Sequence, residues 1–187
     1  MRKFIKAIDI LSRIINYVKG FSFRKILNIG GTMEEKTKQL LAYLIQNHSF
    51  SSITSLMKLS YIIDLVSVKK NDEQVSDFEY IRFKYGPFDK KIYDYIHELL
   101  DDGVILEGAA VTQQGEVVVY EFNDKVDFAF DEITENDKNT IDEILDTLDG
   151  YGPKALVDLT YKTAPMEKIG AKQGNDEGLY ERLDLRA

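Results

Sequence analysis

The chain has 187 residues, enough for one ordinary domain with its own core plus extensions, and its 44% hydrophobic and 30% charged residues fit a folded globular protein rather than a disordered one. It has no cysteine, which excludes a disulfide framework, a thiolate zinc site and a cysteine nucleophile. Its formal charge of −8 is uneven: residues 1–31 hold seven basic residues and one acidic residue, leaving 17 basic and 31 acidic in the rest. An acidic body repels phosphate and suits a basic protein partner better than nucleic acid, although solubility alone also accounts for it. No apolar run is long and uncharged enough to span a bilayer, and Asp9 and Arg13 interrupt any apolar core of a secretory signal. Together with the missing cysteines this gives a cytoplasmic expectation.

Residues 4–19 read as a basic amphipathic helix, with Phe4, Ile8, Leu11, Ile15 and Val18 at helical spacing and Gly20 as the stop. The stretch up to Gly30-Gly31 reads as a linker. Thr32-Met33-Glu34-Glu35 fits a capping box and opens a helix to about Asn47 that buries Leu40, Leu41, Leu44 and Ile45. Ser51 and Ser52 supply the next N-cap. The helix over 52–67 is apolar nearly all round, so it belongs in the centre of a domain, and its interior charges Lys58 and Asp64 stand out.

Ser76-Asp77-Phe78-Glu79 is a second capping-box pattern, confined to a single turn because the next residues alternate as in a strand. Ile81, Phe83 and Tyr85 point one way, and Arg82 and Lys84 the other. Gly86-Pro87 breaks the chain and sets Pro87 in the first turn of a helix over 87–101, with Ile92, Tyr93, Ile96, Leu99 and Leu100 inward and Gly103 as the stop. Residues 104–106 and 117–122 form a β-hairpin through a turn containing Gln113-Gln114-Gly115. Thr134 and Asp137 cap a helix to about Leu148, and Gly152-Pro153 opens a last one to about residue 162. The glycines and charges of residues 167–187 suggest a loose tail. The fold class is α+β: a mostly helical domain with a small antiparallel sheet or β-hairpin, in winged-helix-like order. The expected divisions are a basic extension and linker (1–31), the domain (32–167) and the tail (168–187).

Enzymatic signals are weak. His48 and His97 lie far apart without ligand spacing, and His48 near a helix C-terminus can complement the dipole there as a partly charged imidazole. No nucleophile elbow, P-loop or dinucleotide fingerprint is present, and Gly30-Gly31 is too short to cradle phosphate. Residues 127–149 carry nine acids against Lys138 alone, without calcium-loop spacing. They form a solvated face or a docking surface for a basic partner. No catalytic activity, cofactor or metal is therefore expected.

Two stretches are distinctive: Lys58-Leu59-Ser60-Tyr61-Ile62-Ile63-Asp64, and Tyr80-Ile81-Arg82-Phe83-Lys84-Tyr85-Gly86-Pro87-Phe88 leading to Ile92-Tyr93. Together with Ala155-Leu156-Val157-Asp158-Leu159-Thr160 through Pro165, they resemble the Panacea domain family of SocA-like antitoxins over about residues 33–167. The family's Lys-Leu-x-Tyr-x-x-Asp helix and aromatic-Lys-Tyr-Gly-Pro segment are matched in register. Tyr161 departs from the histidine and Met166 from the tryptophan usual there, and both replacements still fill space. The resemblance implies a prokaryotic or phage antitoxin that neutralises, by direct binding, a toxin protein encoded beside it. It carries over no catalytic residue.

An aspartate in an apolar helix is costly unless paired. Asp64 should therefore meet Arg82, Lys84 or a cluster of backbone N–H groups. Tyr61 and Tyr85 should pack as aromatic walls with hydroxyls on polar partners. Gly86-Pro87 should turn strand into helix or present an aromatic rim, Tyr85 and Phe88, to a partner. Residues 1–31 lie outside the resemblance and have three readings: a membrane- or partner-touching helix, a clasp drawn to the acidic body, or a segment upstream of a start at Met33. The alternative function is a winged-helix DNA-binding regulator, which could act on its own operon. It is disfavoured because Asp94, Glu98, Asp101 and Asp102 follow Lys90 and Lys91 on the expected recognition helix.

Overall fold

The computed structural model describes residues 31–112 and 115–187. The basic helix expected at 4–19, its linker, and Gln113 and Gln114 of the hairpin turn lie outside the described residues. In chain order the elements are α1 (Met33–Asn47), α2 (Ile53–Asn71), β1 (Ile81–Phe83), β2 (Gly86–Phe88), α3 (Lys91–Asp101), β3 (Ile105–Thr112), β4 (Gly115–Phe122), α4 (Glu135–Thr147), α5 (Pro153–Thr160) and α6 (Ala164–Lys168). The fold is α+β and mostly helical, with two separate antiparallel two-stranded sheets where a single small sheet was expected.

Helix α2 is the axis of the domain because it has no polar face to give to water. Its buried residues run from Ser55 to Val68 around the whole circumference. It packs against α1, α3, α4, α5 and β2. Leu56, Leu59 and Ile63 are fully enclosed, and each such side chain contributes about 1.5–3 kcal/mol on burial. Ser52 begins the helix by accepting the Ser55 amide on its hydroxyl at 3.2 Å. Asp72, in the left-handed region at φ 62°, ends it and returns its amide to the Val68 carbonyl. The capping box of α4 forms as expected, with Thr134 and Asp137 each bonded to the other's amide.

Four expectations change. Residues 76–79 make no helical turn, because the Ser76 hydroxyl is taken by Asp64. Pro87 lies in β2, and α3 begins only at Lys91, with the Asp89 carboxylate accepting the Lys91 amide at 3.0 Å. The second hairpin is longer than its β-branched runs, pairing from Ile105↔Phe122 out to Thr112↔Gly115. The ladder extends through Gly108, Ala109 and Ala110, which have low strand propensity alone but are held by the valines opposite.

The tail is the fourth change, since it is packed rather than loose. Residue 182 bridges to Ile81, and the Arg82 amide donates to the Glu181 carbonyl at 2.8 Å. The amides of Tyr180 and Leu183 donate to the carbonyls of Arg82 and Tyr80, both also at 2.8 Å. Leu183 and Leu185 are buried. Among the described residues no helix is long and apolar enough to cross a membrane.

Candidate functional site

Helical rotation spreads Lys58, Tyr61 and Asp64 over a sector of α2 about 120° wide, facing the loop and hairpin that follow. Asp64 is fully buried. Its Oδ1 accepts the amides of Val75 at 2.8 Å and Ser76 at 2.9 Å. Its Oδ2 accepts the Tyr80 hydroxyl at 2.6 Å and the Ser76 hydroxyl. Backbone N–H groups and hydroxyls, with the Gln74 side-chain amide at 3.4 Å, are thus its partners, and neither basic candidate is. Burial pushes its carboxyl above the ordinary range, opposed by the hydrogen bonds of Ser76, Tyr80 and Val75. The loop between α2 and β1 is therefore wound around one carboxylate. Tyr61 walls it from the side, with its ring edge-on to Tyr80 at 5.2 Å and its hydroxyl bonded to Thr163 Oγ1 at 2.7 Å.

The two other charges sent inward have no carboxylate partner among the described residues. Arg82 is buried and its Nη2 donates to the Asn175 carbonyl, while Nε is enclosed without a partner. It holds the C-terminal segment against the hairpin. Lys58 is buried too, and its Nζ donates to the Pro87 carbonyl at 2.7 Å. Burial lowers its amine to a pKa of about 7.

Register explains why proline is accepted in β2. Pro87 pairs with Arg82, whose own N–H and C=O bond the tail on the other side. Arg82 and Pro87 are therefore a pair that exchanges no ladder bonds. The missing N–H costs nothing, and the Pro87 carbonyl turns outward to Lys58. Gly86, at φ +90°, closes the Lys84-Tyr85 turn, and a Cβ there would lie 2.9 Å from Thr160 Oγ1. The Tyr161 hydroxyl reaches the Lys84 carbonyl at 3.2 Å, and Met166 is fully buried. The two departures from the family pattern are thus both buried rather than on a surface, Tyr161 against the hairpin.

The outer face of the hairpin is the exposed part. Tyr85, expected as a packed wall, is 70% exposed at the turn, and Lys84 beside it is exposed. Phe83 and Phe88 form the floor of an open groove of about 420 Å³ lined also by Glu79, Ile81, Asp89, Lys90 and Lys91. Tyr93, expected to face inward, is instead 50% exposed with its ring 6.1 Å from Phe88, and Tyr180, 61% exposed, stands 5.8 Å from Phe83. Tyr180 was not expected. The signal for it was the alternation of Arg182, Leu183, Asp184 and Leu185, a strand pattern inside a glycine-rich stretch.

Among the described residues no group of three or more His, Asp or Glu side chains could hold a metal ion. The His48 imidazole is lowered by burial and its Nδ1 accepts the Phe50 amide, so it is a neutral loop acceptor rather than a charged helix cap. Part of the acidic stretch has internal partners, as Asp137 pairs with Lys36 and Tyr43 donates to Asp142.

No curated relative and no solved structure matches the chain. A family model described as antitoxin SocA-like, Panacea domain, matches residues 56–165, from the first turn of α2 to the start of α6, and encloses Lys58, Asp64, the Tyr-Gly-Pro hairpin and Thr163. With more than half of its length matched, and with the matched motif residues building one frame around α2, this chain belongs to the SocA-like antitoxin family with a Panacea domain.

Proposed function

We propose that this protein is a non-catalytic, cytoplasmic antitoxin that neutralises a toxin protein, encoded by the adjacent gene, through direct contact. The binding module is the domain of residues 32–167, with the basic extension on one side of it in sequence and the tail on the other. The observation that carries the reading is the division within the motif. Lys58, Tyr61, Asp64, Arg82, Gly86 and Pro87 are buried and hold the hairpin, while Tyr85 at its turn and Tyr93 beside Phe88 are left in solvent. Large exposed aromatics on a stiff mount that also carries the groove of Phe83 and Phe88 have the make-up of an interface hot spot. The acidic body draws a basic partner towards it and disfavours DNA.

The test is growth of bacteria expressing the neighbouring reading frame with and without this chain, followed by co-purification. Toxicity alone, rescue in company and a stable complex support the proposal. Tyr85→Ala combined with Tyr93→Ala should abolish rescue while leaving the thermal midpoint within a few degrees of wild type. A toxic neighbour that is neither rescued nor bound rejects it.

A further inference from the structure

The β3–β4 ribbon has an open side that the domain itself does not use. The Asn123 amide donates to the Val104 carbonyl at 2.9 Å, just beyond the strand ends. In this register the even-numbered residues of β3 therefore exchange bonds with β4, and Glu107, Ala109 and Val111 turn their N–H and C=O groups away from it. On the opposite edge the Tyr120 amide is taken by the Ser51 carbonyl at 2.9 Å. On the β3 edge residues 107, 109 and 111 have no main-chain partner among the described residues. Edges are usually blunted by lysine, proline or a bulge, and this one has none of them.

The same residues carry an apolar face. Val111 is 90% exposed, and Ala109 and Val118 beside it are exposed too. The charged side chains of the described ribbon are Glu107, Glu116 and Glu121, all acidic. Glu107 and Tyr120 are cross-strand partners on this face, and helix α3, which carries Tyr93, packs against β3. A second copy would bring one acidic ribbon up to another, whereas a basic strand meets an acidic, apolar edge.

Resting on the antitoxin reading above, we infer that the outer edge of β3 over residues 107–111 takes an extended strand of the toxin carrying lysine or arginine between apolar residues. Main-chain bonds to the outward groups of Glu107, Ala109 and Val111 supply the pairing, and Glu107 and Glu116 select the charge. Tyr93 and Phe88 then meet the flank of the same partner.

The experiment measures binding of the full chain and two variants to the purified product of the neighbouring reading frame, with thermal melting as the check on folding. Ala109→Pro removes an outward N–H and crowds the edge, but spares the even-numbered residues that bond β4. Glu107→Lys with Glu116→Lys reverses the charge without touching the backbone. Each variant should melt within a few degrees of wild type and bind at least tenfold more weakly, the charge reversal with a reduced salt dependence. If Ala109→Pro fails to fold, the charge-reversed variant decides. Wild-type affinity in a well-folded variant overturns the inference and leaves the antitoxin reading standing. A wild-type chain that is dimeric alone and monomeric as Ala109→Pro assigns the edge to a second copy and overturns it too. Failure of the wild-type chain to bind or rescue sinks the antitoxin reading, and this inference with it.

Discussion

The two ends of the motif on helix α2 handle a buried charge in opposite ways. At one end Asp64 meets two backbone amides, two hydroxyls and the Gln74 side-chain amide, all supplied by the loop before β1 and by its flanking residue Tyr80. At the other end Lys58 meets the Pro87 carbonyl and no counter-charge among the described residues. A buried ion stabilises a fold when its hydrogen-bonding capacity is filled, and is a burden when it is not. The Asp64 end should therefore depend on the hydrogen bonds of its carboxyl group, and the Lys58 end should depend on shape.

The largest effect expected from this contrast is Asp64→Ala. It strands four buried donors and should cost about 3–5 kcal/mol in urea denaturation. A loss below 1 kcal/mol would mean that the loop does not need its carboxylate. Gly86→Ala comes next, at about 2 kcal/mol, because alanine must adopt φ +90° and its Cβ meets Thr160 Oγ1 at 2.9 Å. That loss shows the Lys58 end relying on close approach of the backbone. Ser76→Ala should cost about 1–2 kcal/mol, since one of the five donors to Asp64 goes and the rest stay.

The smallest effect is the sharpest test. The folded protein releases the Lys58 proton above about pH 7, whereas the unfolded chain keeps it up to the ordinary 10.5. Between these values the unfolded chain binds the extra proton, so the lysine's contribution to stability rises with pH across that window and is lowest below it. Lys58→Met removes the rise. At pH 6 the variant should be at least as stable as wild type. At pH 10 it should be less stable by about 1 kcal/mol, the cost of a Pro87 carbonyl without its donor. Parallel stability curves for the two proteins would break the comparison.

Much of the frame was readable beforehand. The all-round apolar pattern put α2 at the centre, and the Thr134–Asp137 pattern fixed the start of α4. The burial cost of a carboxylate required a partner for Asp64, with backbone amides among the candidates. The sequence-based choice of Pro87 as a helix opener failed because proline is equally at home in a strand whose N–H would face away from the ladder. Ser76 fits a helix cap as well as it fits a buried carboxylate, and local pattern cannot tell the two apart. The tail was misread because three glycines outweighed a four-residue alternation.

By itself, the sequence determined the helices α1, α2, α4 and α5, which helix is central, and that a lysine and an aspartate had to be accommodated within it. Periodicity and burial cost are properties of the chain alone. Only the tertiary structure decided which of these charges is satisfied, that the C-terminal segment lies along β1, and that Tyr85 and the edge of β3 face outward. Those outcomes depend on strand register and on hydrogen-bond partners from distant segments. A one-residue change of register reverses which groups point in and which point out, and no local pattern records it.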